Sequence, residues 1–271
     1  MLLSKQDEIK KDVLSLYDQP TEQKPSITLT STGSSDQGRV RERNEDSFLC
    51  LPRQNLWVVA DGMGGHDAGD FASQTITRQA AKFTSQATLD SSILLLEENI
   101  IHSNELIREK SSKMGEQATV GSTVAALYVW DHLALVLWAG DSRVYLLRNG
   151  QLYRLTEDHS YVEELVKMGK LTEGEAEHHP AANVVLNAVG IQAELTVDMD
   201  YYEIMQDDLF ILCSDGLFKD LPESRIAEVI EASESSLDDQ CRLLIDAALD
   251  AGGSDNCTVI LVKAQADSEN V

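Results

Sequence analysis

The chain has 271 residues, 42% hydrophobic and 25% charged, enough for one large domain or two small ones with a real core. Its 46 acidic and 22 basic residues leave a net charge of −24, which argues against a nucleic-acid footprint and against docking on an anionic membrane. Any anion bound locally would need cations to hold it.

Residues 1–26 stand apart. Leu3, Ile9, Val13, Leu14 and Leu16 suggest a short amphipathic helix, followed by polar chain with Pro20 and Pro25. This N-terminal extension reads either as a docking helix or as a frayed tail. No secretory h-region is visible in it. From residue 27 onward no linker or repeat interrupts the pattern, so 27–265 read as a single domain and 266–271 as a tail. Apolar and β-branched runs predict strands over 26–32, 46–51, 56–60, 123–130, 132–139, 144–147, 151–155, 208–213 and 257–263. Asn149-Gly150 between two alternating runs is a hairpin signal. The runs at 123–130 and 132–139 are joined too tightly for a parallel crossover. Helical patterns cover 70–84, 91–113, 161–168, 223–232 and 237–251, the last stopped by Gly252-Gly253. Antiparallel strands with helices in pairs predict an α+β layered sandwich, helices outside and sheets inside. The longest apolar run, 133–140, is too short to span a bilayer. Cys50, Cys213, Cys241 and Cys257 show no CxxC spacing, and all but Cys241 sit in apolar runs. Free thiols in a reducing compartment, the cytoplasm, are expected.

An acidic residue recurs where these apolar runs meet polar chain. "LWVVADGMGG" ends a strand at Asp61, "ALVLWAGDSR" at Asp141 and "LFILCSDGLF" at Asp215. "RERNEDSFLCL" opens one at Glu45 and Asp46, and "GGSDNCTVILV" at Asp255. Each alone is what a turn or cap uses. Together they place several carboxylates near one sheet rim, where they repel and raise one another's pKa unless cations intervene. Oxygen donors without clustered His or Cys suit Mg²⁺ or Mn²⁺ rather than Zn²⁺. Glycines after Asp61 let backbone carbonyls and water come close to such ions.

Arg41 with "NED" at 44–46, "DGMGG" at 61–65, "GST" at 121–123, "GDSR" at 140–143, "DHS" at 158–160, "SDG" at 214–216 and "SDN" at 254–256 form an ordered set. It resembles the metal-dependent protein phosphatase family (PPM, or type 2C), in its bacterial branch, over nearly the whole chain. The resemblance implies a four-layer α-β-β-α fold, a central antiparallel β-sandwich flanked by helix pairs. It implies a protein Ser/Thr phosphatase that hydrolyses phosphoserine and phosphothreonine by direct attack of a water bridging two Mn²⁺ or Mg²⁺ ions. By the same resemblance Asp46, Asp61, Asp215 and Asp255 hold the two metals, with Asp61 bridging and the Gly62 carbonyl assisting. Glu45 would hydrogen-bond the metal-bound water, and Asp141 with Asp215 would hold a possible third ion. Arg41 would bind the substrate phosphate, which its two-pronged guanidinium suits. The implied partners are phosphoserine and phosphothreonine proteins and a cognate Ser/Thr kinase, with the enzyme a monomer that uses neither nucleic acid nor membrane.

The chain also departs from the family. Met63 stands where many eukaryotic members have a histidine proposed as the general acid, which leaves His66 as the candidate. The family's flap falls at about 159–180, expected as one amphipathic helix and then a polar turn. His178 and His179 within it show no ligand pattern, and the arginine that bacterial relatives usually carry near Asn187 is missing. A cysteine-dependent phosphatase needs an arginine six residues after its cysteine, and none of the four cysteines has one. The alternatives are a phosphatase of small phosphoesters and a non-catalytic pseudophosphatase binding module. The second would be expected to lose a metal aspartate, and none is missing.

Overall fold

The computed structural model describes residues 27–64, 68–115, 119–177, 179–232 and 235–266. The expected N-terminal extension, His66, His178 and residues 267–271 lie outside them. The strands in chain order are β1 (Ile27–Asp36), β2 (Asp46–Leu51), β3 (Leu56–Met63), β4 (Gly121–Ser122), β5 (Val124–Trp130), β6 (Leu133–Ala139), β7 (Arg143–Arg148), β8 (Gln151–Arg154), β9 (Asp198–Glu203), β10 (Leu209–Cys213) and β11 (Cys257–Ala266). The helices are α1 (Ala68–Ala80), α2 (Leu89–Met114), α3 (Tyr161–Lys167), α4 (Glu173–Glu177), α5 (Asp215–Phe218), α6 (Glu223–Glu231) and α7 (Leu237–Ala251). One sheet runs β1-β11-β10-β7-β8; the other runs β2-β3-β5-β6-β9, with β4 paired to β3. The named strand pairs are antiparallel throughout.

Strand parity sorts the side chains into three cores. On β3, Leu56, Val58 and Ala60 pack with Ile76 of α1 and Ile93 of α2, while Trp57 and Val59 face the other sheet. On β11, Ile260 and Val262 point between the sheets, and Val259 and Leu261 meet Ile226 of α6 and Leu244 of α7. The result is the expected α+β sandwich in four layers. Central strands are covered on both faces, which is why their sequences read as continuous apolar runs rather than alternation. Each such side chain contributes about 1.5–3 kcal/mol on burial. All four cysteines are free, with Cys213, Cys241 and Cys257 buried in the third core. No helix among the described residues is long and apolar enough to cross a membrane.

Three segments differ from expectation, one of them α5, a single helical turn at Asp215–Phe218 where no helix is expected. β9 was not anticipated. It is an edge strand, "DMDYYE", with Met199 and Tyr201 packed toward α1 and α2 and Asp200 between them. The flap region holds two helices rather than one and a turn. Thr172 and Glu175 cap the second reciprocally: Glu175 N donates to Thr172 Oγ1 at 3.3 Å, and Thr172 N donates to Glu175 Oε2 at 2.8 Å. That is a capping box, and it nucleates α4 where polarity alone suggested a turn.

Candidate active site

Antiparallel pairing sets the end of one strand beside the start of the next, and so gathers the strand-end carboxylates at one mouth of the sandwich. Asp46 opens β2 directly opposite Asp61 on β3. Val124 opens β5 opposite Ala139, the last residue of β6, which brings Asp141 to the same end. In the other sheet Cys213 closes β10 opposite Val259 of β11 and Arg143 of β7. Asp215 therefore leaves β10 close to where Asp255 leads into β11. Asp61, Asp141, Asp215 and Asp255 line an open cleft of about 550 Å³ together with Arg41, Glu45 and Gly62.

Neighbouring hydroxyls aim these groups. Ser214 Oγ and Thr258 Oγ1 donate to Asp46 Oδ2 at 2.7 and 2.6 Å, so β11 and the residue that follows β10 orient a carboxylate from the opposite sheet. Asp46 Oδ1 is buried with no partner, and so is Asp215 Oδ1. Thr123 Oγ1 accepts from Asp61 N at 3.0 Å and meets Ser142 Oγ at 2.6 Å, tying Asp61 to the turn of Asp141. A Cβ at Gly62 would stand 2.1 Å from Gly69 O and 2.6 Å from Glu45 O, so glycine is required for β3 and α1 to close around the site. Gly140, at φ +112°, makes the turn from β6 into Asp141.

Burial and mutual repulsion push the carboxyls the same way. Burial, then the charges of Asp46, Asp215, Asp141 and Asp255, hold Asp61 well above the usual carboxylate range. Burial pushes Asp46 up to about 7, against hydrogen bonds from Thr258 and Ser214. Burial with the charges of Asp215 and Asp158 pushes Asp141 up to about 7 as well. Burial also raises Glu45, and it raises Asp215 against the opposing charge of Lys219. Asp255 goes the other way: burial raises it, but Arg41 and Lys219 outweigh burial. Arg41 grips Asp255 twice, Nε on Oδ1 at 2.7 Å and Nη2 on Oδ2 at 2.7 Å. Lys219 Nζ donates to Asp255 Oδ2 at 3.0 Å and also reaches Asp215 Oδ2.

Orphaned buried carboxylate oxygens in a cluster of like charge are the situation a divalent cation relieves. Among the described residues no three His, Cys, Asp or Glu side chains close on a single point. Mg²⁺ takes one or two carboxylates and otherwise keeps water, so these donors fit oxygen-liganded ions of that kind. The model for protein phosphatase 2C matches residues 35–251. The chain belongs to the protein phosphatase 2C family.

Relatives within the 2C family share most of this chain's length. Serine/threonine phosphatase Stp of Listeria welshimeri is 35% identical over 243 residues, covering 84% of this chain and 93% of its own. PstP of Mycobacterium tuberculosis is 34% identical over 238 residues, 87% of this chain and 45% of its own. Among solved structures PppA, a key regulatory component of T6SS in Pseudomonas aeruginosa, superposes with a TM-score of 0.81 at 37% identity, covering 89% of this chain and 100% of its own. The catalytic domain of PstP, solved in complex with two manganese ions, gives 0.78 at 30% identity, covering 89% and 100%.

Of the residues singled out in this 2C phosphatase sequence, Arg41, Glu45, Asp46, Asp61, Gly62, Asp141, Asp215 and Asp255 come together, while His66 lies outside the described residues. His179 is occupied elsewhere, its Nδ1 accepting from Ala181 N at 3.1 Å. Several supporting residues were not singled out. Asn256 accepts from Glu45 N and donates to the carbonyls of Gln37 and Arg43, each at 2.8 Å, which clamps the loop carrying Arg41. Arg143 of "GDSR" pairs with Asp158 of "DHS" at 2.6 Å and lies 3.7 Å over the Phe218 ring, joining the Asp141 turn to α5. Ser214, Thr258 and Lys219 complete the set. Their signal was adjacency: each lies within four residues of a strand-end aspartate.

Proposed function

We propose that this 2C phosphatase removes phosphate from phosphoserine and phosphothreonine in proteins, using two Mn²⁺ or Mg²⁺ ions, with a third, weaker ion at Asp141 and Asp215. One observation carries the reading: strand-end carboxylates from both sheets meet in one cleft, with two buried oxygens left unpartnered. The names of the relatives and the manganese ions of the PstP catalytic domain support it. Asp46, Asp61, Asp215 and Asp255, with the Gly62 carbonyl, are the proposed ligands. When bound, such ions make water nucleophilic near neutral pH and neutralise phosphoryl oxygens in line with it. The chain's own residues do the rest. Glu45, raised by burial, is placed to accept a hydrogen bond from the attacking water. Arg41, more than half exposed at the cleft rim, turns its remaining donors to the substrate phosphate. Residues 27–265 are the proposed catalytic unit, working as a monomer in the cytoplasm opposite a Ser/Thr kinase.

Excess EDTA should abolish hydrolysis of a phosphothreonine peptide, and Mn²⁺ should restore it. Full activity in EDTA would end the metal reading. Better turnover of p-nitrophenyl phosphate than of any phosphopeptide would favour small phosphoesters instead. Arg41→Ala should lower kcat/KM on the phosphopeptide by about one to two decades, mostly through KM, since a charged hydrogen bond contributes about 1.5–3 kcal/mol. An unchanged kcat/KM would remove Arg41 from the substrate side.

A further inference from the structure

Lys219 sits in the candidate metal centre, yet neither the two-ion mechanism nor the phosphate contact uses it. It follows α5 directly and keeps helical geometry, φ −62° and ψ −43°, with its N–H bonded to Asp215 O. Four residues on from Asp215, its side chain returns over that carboxylate, the spacing that puts two side chains on one helix face. Its ammonium bridges Asp215 Oδ2 and Asp255 Oδ2, and its side chain is 25% exposed. The turn is locked in place: a Cβ at Gly216 would lie 2.0 Å from Asn256 O, and Phe218 is stacked under Arg143. Asp255 is thereby saturated. Its Oδ1 accepts from Arg41 Nε and from Asn256 N at 2.9 Å, and its Oδ2 from Arg41 Nη2 and Lys219 Nζ. A cation that takes an Asp255 oxygen must displace one of these donors. Of the two cationic side chains, Arg41 holds by two hydrogen bonds and Lys219 by one, so Lys219 yields before Arg41.

We infer that Lys219 is a resident counter-cation of the metal centre: it holds the Asp215 and Asp255 carboxylates together, competes with the divalent ion for their oxygens, and so sets the enzyme's metal affinity. The inference rests on the metal reading of the site. Removing the ammonium leaves the ligand set one charge more negative and removes a positive neighbour of the ion. A monovalent and a divalent cation a few ångströms apart repel enough, even with full water screening, to cost about tenfold in affinity. The same substitution strips two carboxylates of a partner, so the metal-free chain loses stability.

The test is calorimetric titration of the EDTA-stripped, dialysed chain with Mn²⁺, beside thermal melts in EDTA. Lys219→Met, which keeps the aliphatic stem, should bind Mn²⁺ about tenfold more tightly than the parent and melt several degrees lower without metal. Lys219→Arg, which keeps the charge, should stay near the parent in both. Equal or weaker Mn²⁺ binding by a folded Lys219→Met overturns the inference, and so does Arg-variant binding as tight as the Met variant's. If Lys219→Met fails to fold, Lys219→Gln takes its place. Failure of both to fold overturns the tuning role, because Lys219 is then a requirement of the fold. A parent that binds no Mn²⁺ defeats the metal reading itself, a separable result.

Discussion

Asp61→Asn should cost about 10³-fold or more in kcat/KM on a phosphothreonine peptide, a loss at least that of deleting one preorganised transition-state contact. The same substitution should raise the melting temperature of the metal-stripped chain. Asp61 lies opposite Asp46 and feels Asp215, Asp141 and Asp255, so its charge is frustrated in the protein alone. Asparagine keeps the shape and removes that charge. A gain of about 1–2 kcal/mol shifts a chain of this size upward by about 2–8 °C. Added Mn²⁺ should then stabilise the parent more than the variant, because the variant has lost a proposed metal ligand. A stripped Asp61→Asn chain that melts below the parent would show that this carboxylate is paired, not frustrated. It would count against a cation-binding role.

The conflict between burial and charge explains why the carboxylate cluster was the most legible part of the sequence. A carboxylate abutting an apolar run conflicts with the local rule that core strands end in neutral turns, and five such conflicts recur at Asp46, Asp61, Asp141, Asp215 and Asp255. The layered fold was legible for a related reason: runs such as 56–60 and 259–262 are apolar at every position because both faces are covered. What escaped lies where the deciding partner is distant or the period short. The Thr258 hydroxyl reaches Asp46 across 212 residues, and its closeness in sequence to Asp255 does not reveal that partner. β9 alternates acidic and apolar side chains only from Asp198 to Tyr201, at a sheet edge, too weak a signal against its charge. Lys219 becomes visible only once a helix is known to start at Asp215, since the i to i+4 relation needs that turn. His66 follows from Met63 by elimination alone and lies outside the described residues.

The second large effect is on pH. Stripped of metal, the chain should be more stable at pH 5.5 than at pH 8, the reverse of what a set of salt-bridged carboxylates gives. Asp46 and Asp141 are each pushed up to about 7 from an ordinary 3.8, first of all by burial. The folded chain therefore holds protons that the unfolded chain releases. Their contribution is fully present below the unfolded pKa and is lost as pH rises through the folded value, a window from about pH 4 to about pH 7. Asp255, held low by Arg41 and Lys219 against burial, has the opposite sign, but its contribution is lost only as pH falls below about 4, outside that window. Carrying one buried carboxyl from about 4 to about 7 corresponds to about 4 kcal/mol. The groups share protons, so the whole cluster loses about that much rather than a multiple of it. Only the upper half of that window, about 2 kcal/mol, lies between pH 5.5 and pH 8, so melts in EDTA should fall by about 4–8 °C across that range, and the slope should shrink in Asp141→Asn. Saturating Mn²⁺ should flatten or invert the trend, because the deprotonated carboxylates are the proposed ligands. A stripped parent that melts higher at pH 8 than at pH 5.5 would mean that these carboxylates already have cationic partners enough, leaving no charge for a metal ion to relieve.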